Sequence, residues 1–363
     1  MNPAQNPASR PGGRDEDLSA MRRALELAAS VRARTAPNPW VGCVVVGTDG
    51  RRYEGATQPP GGPHAEAVAL AAAGGAARGA TLYTTLEPCA HHGRTAPCAQ
   101  AIADAGVARV VIGIEDPDPQ VAGRGAETLR RRRVEVTDGV GRDEAADLLA
   151  PYLKHRRTGR PWVVLKLAAT LDGRIAAPDG SSKWITGAQA RADAQNLRAE
   201  SDAVLVGAGT VRADDPQLTV RSDPPPDHQP LRVVLGRAPE GAKVLPAVEA
   251  DGDLEDLLEE LGGKGVLQLL VEGGARVAHQ FHAAGLVDRY VLYLAPAFFG
   301  GDDAVPMFRG PGVAEVGELW RGRVVSVRRL GDDLRVEVAP PTEVGGRPEG
   351  VVGASPDAAR ESG

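Results

Sequence analysis

Between His64 and Cys98 the chain spaces an imidazole, a carboxylate and two thiols as His64-Ala65-Glu66, then Pro88-Cys89, then Cys98, and nothing else in it narrows the fold as much. A zinc ion with a working position open takes three protein ligands and a water, and one imidazole with two thiolates supplies that set. Two thiolates balance the ion's charge, so water is the group left to activate. The ligands meet only if Pro88-Cys89 ends a strand while His64 and Cys98 each open a helix, and the local sequence permits both.

Glu66 sits two residues from the imidazole and is free for other work. A carboxylate there can take a proton from water and hand it to a leaving amine, the role of the non-ligand Glu in H-x-E…P-C-x-x-C deaminases. Eight residues separate the cysteines here instead of two, so the chemistry of that pattern is met but its spacing is not. A structural zinc site would need a fourth ligand, and His91 or His92 could supply it; lining a substrate pocket is the other role open to them. Cys43 lies inside an apolar strand and reads as packing. Asn38 precedes a proline, where a turn is the plainer reading.

A chain of 363 residues suits two domains, each with its own core. A net charge of -6 and 4% aromatic residues argue against a nucleic-acid partner. The run Arg130 to Arg133 does not change this, because consecutive helical residues point around the axis rather than along one stripe. Three cysteines cannot form a fully paired framework and suit a reducing compartment. No apolar stretch reaches about eighteen residues, so no membrane span is expected and the location expected is cytoplasmic.

In order, the pattern predicts a helix from Leu18, a buried strand over Val41–Val46, a Gly/Pro-rich loop, then a helix over Ala65–Ala73. Strands follow at Thr81–Thr85, Val107–Ile114 and Val134–Thr137, with helices from Cys98, over Ala126–Arg132 and over Asp143–Leu153. Such alternation implies a three-layer α/β/α domain. The best boundary candidate is His155 to Pro161. A second series has strands at Trp162–Leu167, Ala203–Val206, Leu231–Leu235, Val266–Val271 and Tyr290–Leu294. Its helices lie near Gln189–Arg198, Leu254–Leu261 and Arg276–Ala283, and Val324–Arg328 pairs antiparallel with Leu334–Val338. Lys166 inside an apolar strand needs partners. Gly207-x-Gly209 and Glu272-Gly273-Gly274 both follow strands, where an open α/β sheet binds ligands, although tight turns explain either one alone.

The spacer from Cys89 to Cys98, together with Asn38-Pro39-Trp40-Val41-Gly42-Cys43-Val44 and Pro63-His64-Ala65-Glu66, resembles the deaminase half of the bifunctional riboflavin-biosynthesis deaminase/reductase family. Ala96 stands where that family has a second proline. The stretches Lys166 to Arg174, Ser182 to Ile185, Leu205 to Thr210, Asp214 to Leu218 and Glu272 to Gly274 are similar to its reductase half, and the likeness runs from about Leu18 to Ala339.

This resemblance implies an α/β chain with an N-terminal three-layer cytidine-deaminase-like domain over 17–155 and a dihydrofolate-reductase-like α/β domain over 156–340. The tails, 1–16 and 341–363, are expected to be disordered. His64, Cys89 and Cys98 would hold one Zn2+, Glu66 would carry the proton, and Asn38 and His91 would contact a phosphoribosylaminopyrimidine. Around the sugar the likeness places Lys166, Asp172, Asp214 and Glu272, with Asp214 assisting proton transfer. Ser182, Trp184, Arg198 and Arg221 would hold the phosphate end. NADPH would lie against Gly207, Thr210, Gly273, Gly274 and Ala275, with Arg237 on its 2′-phosphate.

Two departures bear on the second half: Gln195 replaces a histidine of the family pattern, and Val244 to Leu254 is shorter, which would remove part of a strand or loop beside the cofactor. A homo-oligomer, a dimer, is expected. The rival readings are a deaminase with a non-catalytic C-terminal domain and a zinc-stabilised phosphometabolite-binding protein.

Overall fold

The computed structural model describes residues 13–90, 97–119, 121–221 and 229–341. The first half runs α1 (Arg14–Ser30), β1 (Gly42–Val46), β2 (Arg52–Ala56), α2 (Ala65–Ala73), β3 (Thr81–Leu86), α3 (Cys98–Asp104), β4 (Arg109–Ile114), α4 (Arg124–Arg131), β5 (Glu135–Asp138), α5 (Arg142–Leu148) and α6 (Ala150–Thr158). Its sheet has the order β2-β1-β3-β4-β5; β1 is antiparallel to both neighbours, and β3, β4 and β5 are parallel.

Residue alternation along the strands builds the layers. Val44, Tyr83 and Val111 face α1, where Ala20, Met21 and Ala24 cover them. Cys43, Val45, Leu82, Val110 and Ile112 face the other side, packed with Ala65 and Ala69 of α2 and Ala99 and Ile102 of α3. Each fully buried aliphatic side chain of this size contributes roughly 1.5–3 kcal/mol. Helix α1 approaches β1 closely because position 42 is glycine: a Cβ there would lie 1.8 Å from the Ala24 carbonyl oxygen.

The second half continues with β6 (Trp162–Thr170), β7 (Arg174–Ala176), α7 (Ala188–Ala199), β8 (Ala203–Gly207), α8 (Ala208–Asp214), β9 (Leu231–Leu235), β10 (Val248–Ala250), α9 (Leu254–Gly263), β11 (Gln268–Val271), α10 (Ala275–Ala283), β12 (Arg289–Ala295), β13 (Val305–Pro306), β14 (Arg323–Leu330) and β15 (Asp333–Ala339). Its main sheet has the order β10-β9-β8-β11-β6-β12-β15-β14. The pairings from β10 to β12 are parallel, and the β14–β15 hairpin adds antiparallel on β12. Val163, Leu165, Leu205 and Leu269 pack with α9 and α10, while Val164, Val204, Val206 and Leu270 pack with α7 and α8. This domain is a second three-layer α/β unit.

Four expectations are corrected. The disordered tail does not reach Glu16, because α1 begins at Arg14 and already carries Asp17, buried against Arg109. The stretch expected as loop before His64 contains β2, paired antiparallel with β1; its polar, half-exposed residues hide an edge strand from a search for apolar runs. The helix expected over Asp143–Leu153 is two helices, α5 and α6, broken at Leu149 just before Pro151. The proposed boundary at 155/156 falls inside α6, which runs to Thr158 and closes on Gly159 in the left-handed conformation, φ 72°. The short 244–254 segment carries β10, a strand of three residues paired parallel with β9.

The halves are joined by more than α6. Leu267, just before β11, is fully buried in the first domain's core, and Arg32 donates to the side-chain oxygen of Gln268 at 2.5 Å.

Candidate active sites

Helix α2 starts at His64, which occupies its N-cap, so Glu66 falls in the first turn on the buried side. Strand β3 ends at Leu86 and delivers Cys89, and α3 starts on Cys98. The three ligand atoms lie within 4.8 Å of one another: His64 Nδ1 is 3.7 Å from Cys89 Sγ and 3.3 Å from Cys98 Sγ. Around a tetrahedral zinc, bond lengths of about 2.1 and 2.3 Å put nitrogen and sulfur roughly 3.6 Å apart. The donor set and its spacing fit that ion. The Cys98 N–H donates to Cys89 Sγ at 3.4 Å, which favours thiolate on the sulfur it meets.

Electrostatics at these residues have one theme, the crowding of negative groups in a buried pocket. Cys89 is drawn down to about 4, first by its hydrogen bond with Cys98 and then, against burial, by its contact with His64. Cys98 is pushed up by that same contact and by burial. Burial, then the Cys89 charge, raises the Glu66 carboxyl to about 7.

Asn38 closes a turn through its N–H to the Thr35 carbonyl at 2.8 Å, in keeping with the plainer reading of that residue. His91, with His92, lies outside the described residues.

The second site is a cavity of about 1640 Å³ at the carboxyl ends of β6, β8 and β11. Lys166, Ser182, Trp184, Arg198, Asp214 and Arg221 line it. So do Gly207, Thr210, Glu272, Gly273, Gly274 and Ala275. Lys166 leaves its apolar strand to meet Glu272 at 3.8 Å, and Arg198 grips the same carboxylate with two bonds of 2.9 Å. Burial would raise Glu272, but Lys166 and Arg198 outweigh it and hold the carboxyl below its usual range. Arg198 also donates to the Thr219 carbonyl at 2.9 Å, so most of its donors are committed within the protein. The Arg221 guanidinium carries no ion pair among the described residues, and the Arg221 backbone N–H donates to the Gln195 side-chain oxygen at 3.0 Å.

Gly207 and Gly273 answer to packing as well as to ligand access. A Cβ on either would come within 2.8 or 2.5 Å of Val277 in α10. Gly274 caps α10 and brings that helix's N-terminus to the cavity.

Two expected residues stand apart from the cavity lining. Asp172 braces a loop, accepting from Thr170 Oγ1 at 2.5 Å and from the Gly300 N–H at 3.0 Å. Arg237 is taken up by Glu249 at 3.2 Å and Asp251 at 2.6 Å, which leaves its charge already balanced. Residues that sequence reasoning missed include Lys183, 3.1 Å from Asp214, and Arg191, whose guanidinium lies 4.6 Å from the Trp184 ring. Their spacing to those partners crosses a loop and a helix, so no local pattern could reveal it.

Comparison with known proteins gives these sites a context. Residues 14–114 match the cytidine and deoxycytidylate deaminase zinc-binding region, and residues 161–336 match the RibD C-terminal domain, a dihydrofolate-reductase-like fold that uses NADPH. The riboflavin biosynthesis protein RibD of Escherichia coli is 40% identical over 360 residues, covering 88% of this chain and 98% of that protein. The Haemophilus influenzae protein of the same name is 38% identical, covering 90% and 98%. Among solved structures, Acinetobacter baumannii RibD superposes with a TM-score of 0.84 at 39% identity, covering 91% of this chain and all of that one. The Thermotoga maritima diaminohydroxyphosphoribosylaminopyrimidine deaminase/5-amino-6-(5-phosphoribosylamino)uracil reductase does so at 0.83 and 35%, covering 90% and 99%. Carrying both regions in the same order and over nearly the full length of these relatives, the chain belongs to the RibD family of bifunctional, zinc-dependent deaminases and NADPH-dependent reductases of riboflavin biosynthesis.

Proposed function

We propose that the first site deaminates 2,5-diamino-6-(5-phosphoribosylamino)pyrimidin-4-one and that the second reduces the ribosyl group of the product to ribityl. The observation that carries the first step is the convergence of His64, Cys89 and Cys98 beside a buried Glu66. Zinc, when bound, supplies a Lewis acid that makes water a nucleophile at neutral pH. Glu66 takes one proton from that water and gives it to the ring nitrogen, which keeps it, and then carries a second, from the hydroxyl left on carbon, to the departing amine, so that one water enters and one ammonia leaves. Asn38 and His91 are proposed to hold the pyrimidine.

At the second site NADPH, held along Gly207, Thr210 and Gly273 to Ala275, would supply the hydride needed at the former anomeric carbon of the open-chain imine. Asp214, with Lys183 beside it, is proposed to hold the proton that balances the step. Lys166 and Glu272 orient the sugar hydroxyls, while Ser182, Trp184 and Arg221 face the phosphate. Arg198 serves by fixing Glu272 and Thr219. Gly207, Thr210, Gly273, Gly274 and Ala275 offer backbone and a helix N-terminus to the cofactor. Arg237 is left out of this reading because Glu249 and Asp251 already pair with it, and Asp172 because it lies off the cavity lining and braces a loop through Thr170 and Gly300.

The protein is proposed to act as a homodimer in a reducing cytoplasm. Val313, Val316, Trp320, Val324 and Val327 expose apolar surface on and just before the edge strand β14, and an open strand edge with such residues needs a cover. No helix among the described residues is long and apolar enough to cross a membrane. A two-stage assay tests the whole reading: ammonia release from the aminopyrimidine, then NADPH oxidation that depends on the deaminated product. Ammonia release without the second signal leaves only the deaminase half standing.

A further inference from the structure

Glu87 stands two residues before Cys89, buried at the carboxyl end of β3. One of its carboxylate oxygens accepts the N–H of Asp116 at 3.4 Å and of Gly123 at 3.0 Å, and the other accepts that of Ala126 at 3.0 Å. These donors lie in the loop leaving β4 and in the first turn of α4, where unpaired N–H groups favour a negative charge. Beside them Gly125 packs so tightly on the ligand loop that a Cβ there would stand 2.0 Å from the Pro88 carbonyl oxygen. The Cys89 carbonyl in turn accepts the Ala99 N–H at 3.1 Å, one residue past Cys98. The segment that presents Cys89 is therefore clamped between α4 and α3.

We propose that Glu87 is a positioning residue for the metal centre: its carboxylate locks Pro88 and Cys89 against Asp116, Gly123 and the first turn of α4, so that Cys89 Sγ is held at binding distance from Cys98 and His64. The proposal rests on the zinc reading given above. An amide at position 87 has a single acceptor oxygen and an NH2 group, and that NH2 must face at least one of the donors Asp116, Gly123 and Ala126. The loop keeps a second tie, because Asp116 accepts the Tyr152 hydroxyl at 3.1 Å, so E87Q protein is expected to fold with its ligand segment loosened.

Full-length wild type and E87Q, stripped of metal and reloaded with Co2+, are compared by the thiolate-to-cobalt charge-transfer absorption and by the rate at which a chelator removes the ion. The expected result is an altered absorption and loss of the ion roughly ten-fold faster or more, the usual scale for groups that orient a metal ligand. Absorption and removal rate indistinguishable from wild type overturn the proposal. A wild-type protein with no thiolate absorption sinks the zinc reading and this proposal with it, which keeps the two failures apart. If E87Q does not fold, E87D decides: it keeps the charge but draws the oxygens back from α4, and wild-type absorption and rate in that variant overturn the proposal equally.

Discussion

Arg198 and Glu272 form a two-pronged ion pair against the second cavity, Nε and Nη2 each 2.9 Å from a carboxylate oxygen, with only 12% and 11% of the two side chains exposed. The geometry makes Glu272 a fixed acceptor beside the place where sugar hydroxyls are proposed to bind. Arg198→Ala should strand the carboxylate with Lys166 alone at 3.8 Å, and breaking a buried pair in this way costs about 3 kcal/mol. NADPH oxidation should show KM for the deaminated product raised roughly ten-fold, the scale of one lost charge-assisted bond. Arg198→Met with Glu272→Met removes both charges of the pair but leaves Lys166 without its carboxylate, so it should recover only part of the stability, read from the unfolding midpoint, and none of the reduction.

Glu66→Gln is isosteric and leaves His64, Cys89 and Cys98 untouched, so metal content should stay at wild type. Ammonia release should fall by roughly 10²- to 10⁴-fold, the usual contribution of a proton carrier. NADPH oxidation with pre-deaminated substrate should continue. Near-normal deamination by this variant would remove Glu66 from the mechanism.

How much of this was legible in the sequence differs between the two sites for a physical reason. The metal ligands sit at element ends, where a strand stops or a helix starts, and those ends leave marks in sequence: Pro88-Cys89 after a β-rich run, Cys98 before an alanine-rich one. The pairs of the second site join distant elements: Arg198 on α7 with Glu272 after β11, and Lys183 in a loop with Asp214 at the end of α8. Nothing local encodes such partners, and the likeness to the family supplied most of those residues without their contacts. Strand β2 escaped because edge strands carry polar residues; the stretch His155 to Pro161 does contain the end of α6, and only the cut at 155/156 falls inside that helix.

Asp17 gives the first domain an acid-sensitive tie. Burial would raise its carboxyl, but hydrogen bonds from Arg109 and Tyr83 and the Arg109 charge outweigh that and hold it below the usual carboxylate range. The unfolded chain then takes up the proton first as pH falls, so the contribution is whole above about pH 4 and is lost as pH drops through the lower folded value. Asp17→Asn should cost about 1–3 kcal/mol at neutral pH, and its deficit relative to wild type should shrink toward pH 2. A deficit that does not vary with pH over that range would show that the carboxylate's charge is not what matters.

Asp214 and Lys183 stand 3.1 Å apart at the rim of the second cavity. Replacing the acid with its amide, Asp214→Asn, keeps the shape and removes the proton-holding group. Turnover in NADPH oxidation should drop roughly 10²-fold or more with ammonia release intact. Equal loss of both activities in protein that still unfolds at the wild-type temperature would argue against two separate sites.

Leu267 belongs by sequence to the second domain but is 0% exposed within the core of the first, packed in the cluster that holds Leu149, Tyr152 and Leu153. Its carbonyl accepts the Trp162 N–H at 2.8 Å and its N–H is held by the Asp202 carboxylate at 2.8 Å, so the side chain cannot swing away to relieve a change. Leu267→Ala should therefore leave a cavity and cost about 3 kcal/mol, within the range for a buried leucine whose surroundings are pinned. Because the lost contacts belong to the metal-bearing domain, thermal release of bound Co2+ should shift to lower temperature together with the loss of NADPH oxidation. If the reductase signal alone moves, the two cores unfold independently and the packing of Leu267 across their boundary couples nothing.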